Sequence, residues 1–136
     1  MQLWFSEMQT PNVKFSIRVE RQLYSGQSEF QRIDVFESPE FGRFLTLDGY
    51  MMLTERDEFI YHEMITHVPL AVHPKVKRVL VIGAGDGGVI RELVRYPEIE
   101  DIDLVEIDEL VVEVCRKYLP QTACRLDDPR VHIHYE

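Results

Sequence analysis

Cysteine is scarce in this chain. Only Cys115 and Cys124 occur among its 136 residues, on either side of a predicted helix end and without C-x-x-C spacing. Isolated cysteines of this kind fit a reducing cytosol. No apolar run approaches the roughly 20 residues that a membrane-spanning helix needs. Met1 to Thr10 has neither a basic n-region nor an apolar h-region, so no secretory signal is visible. Positive charge is also in deficit: 15 Lys and Arg face 24 Asp and Glu, a net charge of −9. That balance makes a poor general binder of phosphate backbones and suits a cationic small substrate better. There is no G-x-S-x-G elbow and no plausible Ser-His-Asp set. His62 and His67 are five positions apart, about 140° around a helix axis, whereas a zinc-binding helix needs its histidines at i and i+4. His132 and His134 are strand neighbours with no partners in sight. No internal repeat and no low-complexity segment occurs.

What is present is a globular composition, 45% hydrophobic and 29% charged. The length suits one ordinary domain, or one small and one partial domain. A chain of this size can bury about two-thirds of its unfolded surface. The first stretch, residues 1–56, reads as an antiparallel β-domain. Val13 to Val19 alternates apolar and polar residues, and Ile33 to Phe36 and Arg43 to Leu47 repeat the signal. Asp48-Gly49 is a hairpin turn, with Tyr50 to Thr54 returning. Leu3-Trp4-Phe5 reads equally as core or as interface.

The character changes at Thr54, and residues 57–136 form the second region. Thr54 with Asp57 and Glu58 marks a helix start. That helix runs to about Val72, with a kink or stop expected at Pro69. From Lys77 the pattern is βαβαβ. Val79 to Ile82 is a continuous apolar run, as in a parallel strand covered on both faces. A glycine loop follows, then a helix over Val89–Tyr96, a strand over Ile102–Glu106, a helix over Glu109–Leu119 and a strand over Val131–His134. The fold class is α/β: a small antiparallel β-domain, then a partial Rossmann-like domain. In a doubly wound sheet of order 3-2-1-4-5 the first strand is central. Here strands 4 and 5 have no counterpart, so Val79 to Ile82 should form an edge with unpaired backbone. The chain therefore reads as about half of its natural unit, with residues missing or a partner on that edge.

The chemistry concentrates at Gly83-Ala84-Gly85-Asp86-Gly87-Gly88, a G-x-G-x-x-G loop between a strand and a helix. Glu106, about 20 residues on, ends the second strand, where a carboxylate can accept both ribose hydroxyls. Asp86 selects the ligand class. A dinucleotide would place its pyrophosphate near that helix start, and a carboxylate there repels it. An adenosine without phosphate but with a positive charge, as in sulfonium nucleosides of the S-adenosylmethionine type, is attracted instead. Asp86 also suits a helix N-cap, and the two roles are compatible. Glu98 to Glu113 carries eight acids and no base. Most of these read as solvated surface, and only Glu106 is placed at the crevice. Tyr61 and His62, taken alone, read as surface or interface residues.

Five motifs occur in order: Leu47-Asp48-Gly49, Thr54 to Met64 (TERDEFIYHEM), Gly83 to Glu92 (GAGDGGVIRE), Val105-Glu106-Ile107-Asp108 and Asp127-Asp128-Pro129-Arg130. Together they resemble the spermidine synthases, a family of polyamine aminopropyltransferases, from about Trp4 to the last residue. Ala84 stands where that loop commonly has glycine, a mild departure.

The resemblance implies aminopropyl transfer from decarboxylated S-adenosylmethionine to putrescine, giving spermidine and 5′-methylthioadenosine. The nucleoside is a co-substrate, and no separate cofactor or metal is implied. By matched position, Gln31 and Glu106 resemble the groups that hold the nucleoside, within the loop that carries Gly83 and Gly85. Ile107 would pack on adenine, Asp86 would hold the cationic aminopropyl end, and Tyr61 and His62 would line the amine site. The resemblance implies a cytoplasmic homodimer or homotetramer that engages neither nucleic acid nor membrane. It places the catalytic base, an aspartate after the fourth Rossmann strand, beyond Glu136. The chain alone is thus expected to be inactive, with no catalytic residue of its own. The competing readings are a related aminopropyl- or methyltransferase with another acceptor, a non-catalytic nucleoside-binding or partner-dependent module, and, more distantly, a dinucleotide enzyme.

Overall fold

The computed structural model describes all residues from Met1 to Glu136. They form two compact units, Met1–Asp57 and Glu58–Glu136.

The first unit is all β. Strands β1 (Leu3–Thr10) and β2 (Val13–Val19) form an antiparallel hairpin. Strands β3 (Arg21–Gln27), β4 (Arg32–Ser38), β5 (Gly42–Leu47) and β6 (Tyr50–Thr54) form a four-stranded antiparallel meander. One sheet was expected from the alternation, and two are present. β3 escapes a hydropathy reading because RQLYSGQ is mostly polar. It is an edge strand, with a bulge between Gln22 and Tyr24, so little of it faces apolar neighbours.

The core of this unit is aromatic. Ile17, Val19 and Phe44 are buried, with Phe5, Phe36, Phe41 and Met51 packed against them. The rings of Phe5, Phe36 and Phe44 lie 5.3–5.6 Å apart by centroid, within the range of favourable aromatic pairs. Asp48 (φ 52°) and Gly49 (φ 80°) both adopt positive φ. That is the type I′ geometry whose twist matches the flanking strands β5 and β6.

In the second unit, α1 (Glu58–Val72) precedes a parallel sheet of β7 (Arg78–Ile82), β8 (Asp101–Glu106) and β9 (Val131–Tyr135), in that spatial order. Helix α2 (Gly88–Leu93) crosses from β7 to β8. Helices α3 (Glu109–Tyr118) and α4 (Pro120–Ala123) cross from β8 to β9. Ile102 and Leu104 of β8 and Val111, Val112, Val114 and Cys115 of α3 are buried. The alternation in β8 sends its apolar side chains to the helix-covered face.

Helix α1 reaches Val72 with Pro69 inside it, the extent expected; proline near a helix end removes little of the remaining hydrogen-bond ladder. Three expectations change here. Helix α2 is shorter than expected. After Val94, Arg95 and Tyr96 donate to carbonyls only three residues back, so the last turn before Pro97 tightens. Pro120 stops α3 but also opens α4, where its fixed φ suits a first helical position. Strand β7 lies at the sheet edge, as expected, yet it is not covered on both faces. Leu80 is 61% exposed and Ile82 79% exposed.

Arg130, within the Asp-Asp-Pro-Arg motif, ties this unit together. Its guanidinium donates to the carbonyls of Val94 (2.7 Å), Tyr96 (2.9 Å) and Ile99 (3.1 Å), and to Asp128. Those bonds hold the α2–β8 connection against the approach to β9. The Asp128 carboxyl sits far below the usual range, chiefly through its hydrogen bond from Arg130.

Candidate functional site

The glycine loop leaves the end of β7 in a sharply turned path. Gly83 (φ 66°), Ala84 (φ 121°) and Gly87 (φ 85°) all take positive φ. Glycine adopts such angles freely, but alanine does so at a cost. Ala84 is therefore not the mild departure that its sequence suggests: its side chain stands on strained backbone.

Two glycines are required by close packing instead. A Cβ on Gly85 would press within 3.0 Å of Glu106 Oε2 and 3.1 Å of Val111 Cγ1. A Cβ on Gly88 would overlap the His62 ring.

The loop amides are engaged by the protein itself. Gly85 N donates to Glu106 Oε2 at 2.9 Å, Gly87 N to the Ala84 carbonyl at 3.0 Å, and Gly88 N to Asp86 Oδ1 at 2.8 Å. The N-cap position of α2 is Gly87, in the left-handed conformation, and not Asp86. Asp86 nevertheless satisfies the first helical amide from one position earlier. Two carboxylates thus stand where a phosphate-binding loop would offer free donors.

Glu106 is buried at the end of β8. Its Oε1 accepts from Asp108 N at 3.1 Å while its Oε2 holds Gly85. Each oxygen retains a lone pair for a hydroxyl donor. Ile107 follows, exposed, between β8 and α3. Asp108 is not solvated surface: it is buried and caps α3 by accepting from Leu110 N at 3.1 Å.

The largest departure concerns His62. Taken alone it reads, with Tyr61, as a surface or interface residue, but it is only 2% exposed, whereas Tyr61 is 62% exposed. The ring lies between two carboxylates. Nδ1 faces Glu58 Oε2 at 2.5 Å, and Nε2 faces Asp86 Oδ1 at 3.1 Å. Burial pulls the imidazole pKa down, but the hydrogen bond and charge of Asp86, then those of Glu58, outweigh burial and raise it.

Glu58 is held in turn by Arg91, Nη1 to Oε1 at 2.8 Å and Nη2 to Oε2 at 3.0 Å, and by Gln121 Nε2 at 3.0 Å. Burial works to raise the Glu58 carboxyl, yet the bonds from Arg91, Gln121 and His62 bring it down to about 2. His67 faces other partners, Tyr96 and Glu92.

Gly83, Gly85, Asp86, Glu106, Ile107 and His62 therefore gather at one end of the parallel sheet, with Tyr61 beside His62, ring centroids 5.4 Å apart. Gln31 belongs to the other unit. There its N–H donates to Ser28 Oγ at 3.1 Å, in the turn between β3 and β4. Sequence reasoning missed Glu58, Arg91 and Gln121. The signal for Glu58 was present, a Glu and a His at i and i+4 on one helix. Arg91 and Gln121 lie too far off in sequence to be paired by spacing.

A Rossmann-like α/β unit that follows an antiparallel β unit in the chain, with an acid inside its glycine loop and another closing the second strand, is the class that these elements define. Residues 58–136 match the spermine/spermidine synthase domain, and residues 3–55 match the spermidine synthase tetramerisation domain. The chain belongs to the spermidine synthase, or polyamine aminopropyltransferase, family.

Its relatives include the polyamine aminopropyltransferases of Alkaliphilus oremlandii, 71% identical, and Clostridium botulinum, 68% identical, each over all of this chain and 48% of that protein. A crystal structure of spermidine synthase in complex with the transition-state analogue AdoDATO superposes with a TM-score of 0.96 at 50% identity, over 98% of this chain and 46% of that one. Spermidine synthase from Thermotoga maritima gives the same TM-score, 0.96, and identity, 50%, over 98% of this chain and 48% of that one. The chain spans about half the length of the curated relatives that it matches.

Proposed function

We propose that this chain supplies the nucleoside-binding part of an enzyme that moves an aminopropyl group from decarboxylated S-adenosylmethionine to putrescine. The observation that carries the reading is the state of the glycine loop. Its amides at Gly85 and Gly88 are taken by Glu106 and Asp86, so the loop suits a nucleoside without phosphate and with positive charge. The relative bound to AdoDATO, similar over nearly the whole chain, supports the same ligand class.

In this reading Glu106 accepts the ribose hydroxyls and Ile107 packs on adenine, with Gln31 contributing to the nucleoside site. Asp86 draws in the cationic aminopropyl end, and Tyr61 and His62 flank the amine. Putrescine arrives protonated, so a base must first take one ammonium proton. The freed amine nitrogen attacks the carbon next to the sulfonium. The C–N bond forms as the C–S bond breaks, and the bonding pair goes to sulfur, leaving neutral 5′-methylthioadenosine. The sulfonium is a good leaving group, so in-line positioning is the main requirement. None of the residues described here is assigned as the base.

The nucleoside is a co-substrate, and the reaction as read needs no further cofactor. The match to a tetramerisation domain supports a homo-oligomer, dimer or tetramer. The scarce, unpaired cysteines support a cytoplasmic setting. Supplying the full-length protein with decarboxylated S-adenosylmethionine and putrescine should release spermidine and methylthioadenosine in equal amounts by mass spectrometry. Methylthioadenosine without spermidine, or neither product, would overturn the reading.

A further inference from the structure

The pair His62–Asp86 does not stand alone, and the groups behind it have no part in the reading above. The carboxylates that face the His62 ring are Glu58, from its own helix, and Asp86, from the glycine loop; Arg91 of α2 stands behind Glu58 and is itself paired with Glu92. Since both ring nitrogens face carboxylates, both must donate, and the ring is an imidazolium. The four groups Glu58, Arg91, His62 and Asp86 then balance in charge. Both protein bonds to Asp86, from His62 Nε2 and Gly88 N, fall on Oδ1. Oδ2 is the oxygen left to face a ligand.

We infer that Glu58, pinned by Arg91 and Gln121, is a positioning residue that acts through His62 to fix the Asp86 carboxylate with Oδ2 offered to the cationic arm of the nucleoside. This rests on the functional reading above. His62 is thereby a donor to Asp86 and not a proton acceptor for the amine. The three-point hold on Glu58 matters because an imidazolium this enclosed keeps its proton only while both carboxylates stay in place. It also ties the loop to α2 through Arg91 and to α4 through Gln121.

The test compares two ligands that differ in the aminopropyl arm and in the sulfonium charge that is lost with it. In the full-length protein, Glu58→Gln should weaken decarboxylated S-adenosylmethionine by about tenfold, the scale of one charge-assisted bond lost. Methylthioadenosine, which lacks the arm, should weaken by less than about twofold. The His62 ring signals in NMR should titrate at lower pH than in the parent. Arg91→Lys keeps the charge but loses the two-point hold, and should give a smaller loss with the same ligand preference. It serves also if Glu58→Gln folds poorly. Equal losses for both ligands would mean a merely structural role and overturn the inference. So would unchanged affinities with an unmoved His62 titration. If the parent binds neither nucleoside, the functional reading fails, while the His62 titration still shows whether Glu58 holds the ring charged.

Discussion

The two units solve the problem of stability in opposite ways. The β unit closes around three phenylalanine rings and buries one acid, Asp34, paired with Arg32 and Gln22. The α/β unit buries five acidic or basic side chains, Glu58, His62, Glu92, Glu106 and Asp108. Burying such groups is costly unless each is paired, and here each is. Three of them, Glu58, His62 and Glu106, converge with Asp86 on the glycine loop. The lesson is one of division: apolar packing holds the β unit, and paired charge accumulates around the glycine loop of the α/β unit.

The sharpest way to break that contrast is in the apolar unit. Phe44→Ala should cost about 3–5 kcal/mol of stability in chemical denaturation, because the ring is fully buried among Phe5 and Phe36. A loss under about 1 kcal/mol would mean that the aromatic cluster is not what holds the unit.

In the charged unit the largest effect should fall on binding. Glu106→Gln keeps the shape but loses the charge behind the expected ribose contacts. It should lower methylthioadenosine affinity by about 2–3 kcal/mol in calorimetry, roughly 30- to 150-fold. Unchanged affinity would remove Glu106 from the site.

Stability should also vary with pH through the second unit. The folded His62 pKa is raised from its ordinary 6.5, so its contribution is fully present below that value and is lost as pH rises through the raised one. Glu58 is depressed from 4.5 to about 2, so its contribution is present above its ordinary value and is lost as pH falls towards about 2. Thermal melts should thus fall on the alkaline side of about pH 6.5, and His62→Gln should flatten that limb. An identical limb in the variant would contradict the assigned charge state.

The smallest effect expected is at Ala84. Replacing it with glycine should relieve the strained φ of 121° and raise stability by about 1 kcal/mol. A decrease would show that the alanine methyl packs better than its backbone suggests.

Most of this framework was readable from the residues. Alternation located β2, β4 and β5, and the hairpin turn located β6. Asp48-Gly49 set the hairpin, and the apolar run Val79 to Ile82 with its glycine loop set the α/β order. β3 was hidden because an edge strand need not be apolar, and the end of α2 because Pro97 acts a turn ahead of itself. At the site, Asp86 and Glu106 were legible from the loop pattern and strand end. The burial of His62 was not. A histidine next to an exposed tyrosine reads as surface until Gly88, which has no side chain, lets the loop close over it. Ala84 was misread because its departure is one of backbone angle, which residue type alone does not reveal.

The central claim is that the protein's own carboxylates occupy the Gly85 and Gly88 amides of the loop and so choose the ligand. Calorimetric titration of the full-length protein with 5′-methylthioadenosine and with NAD tests it most directly. Binding of methylthioadenosine at least about 100-fold tighter than NAD is the predicted result. Equal or tighter binding of NAD would contradict it, because a pyrophosphate would then be accepted where Asp86 and Glu106 stand.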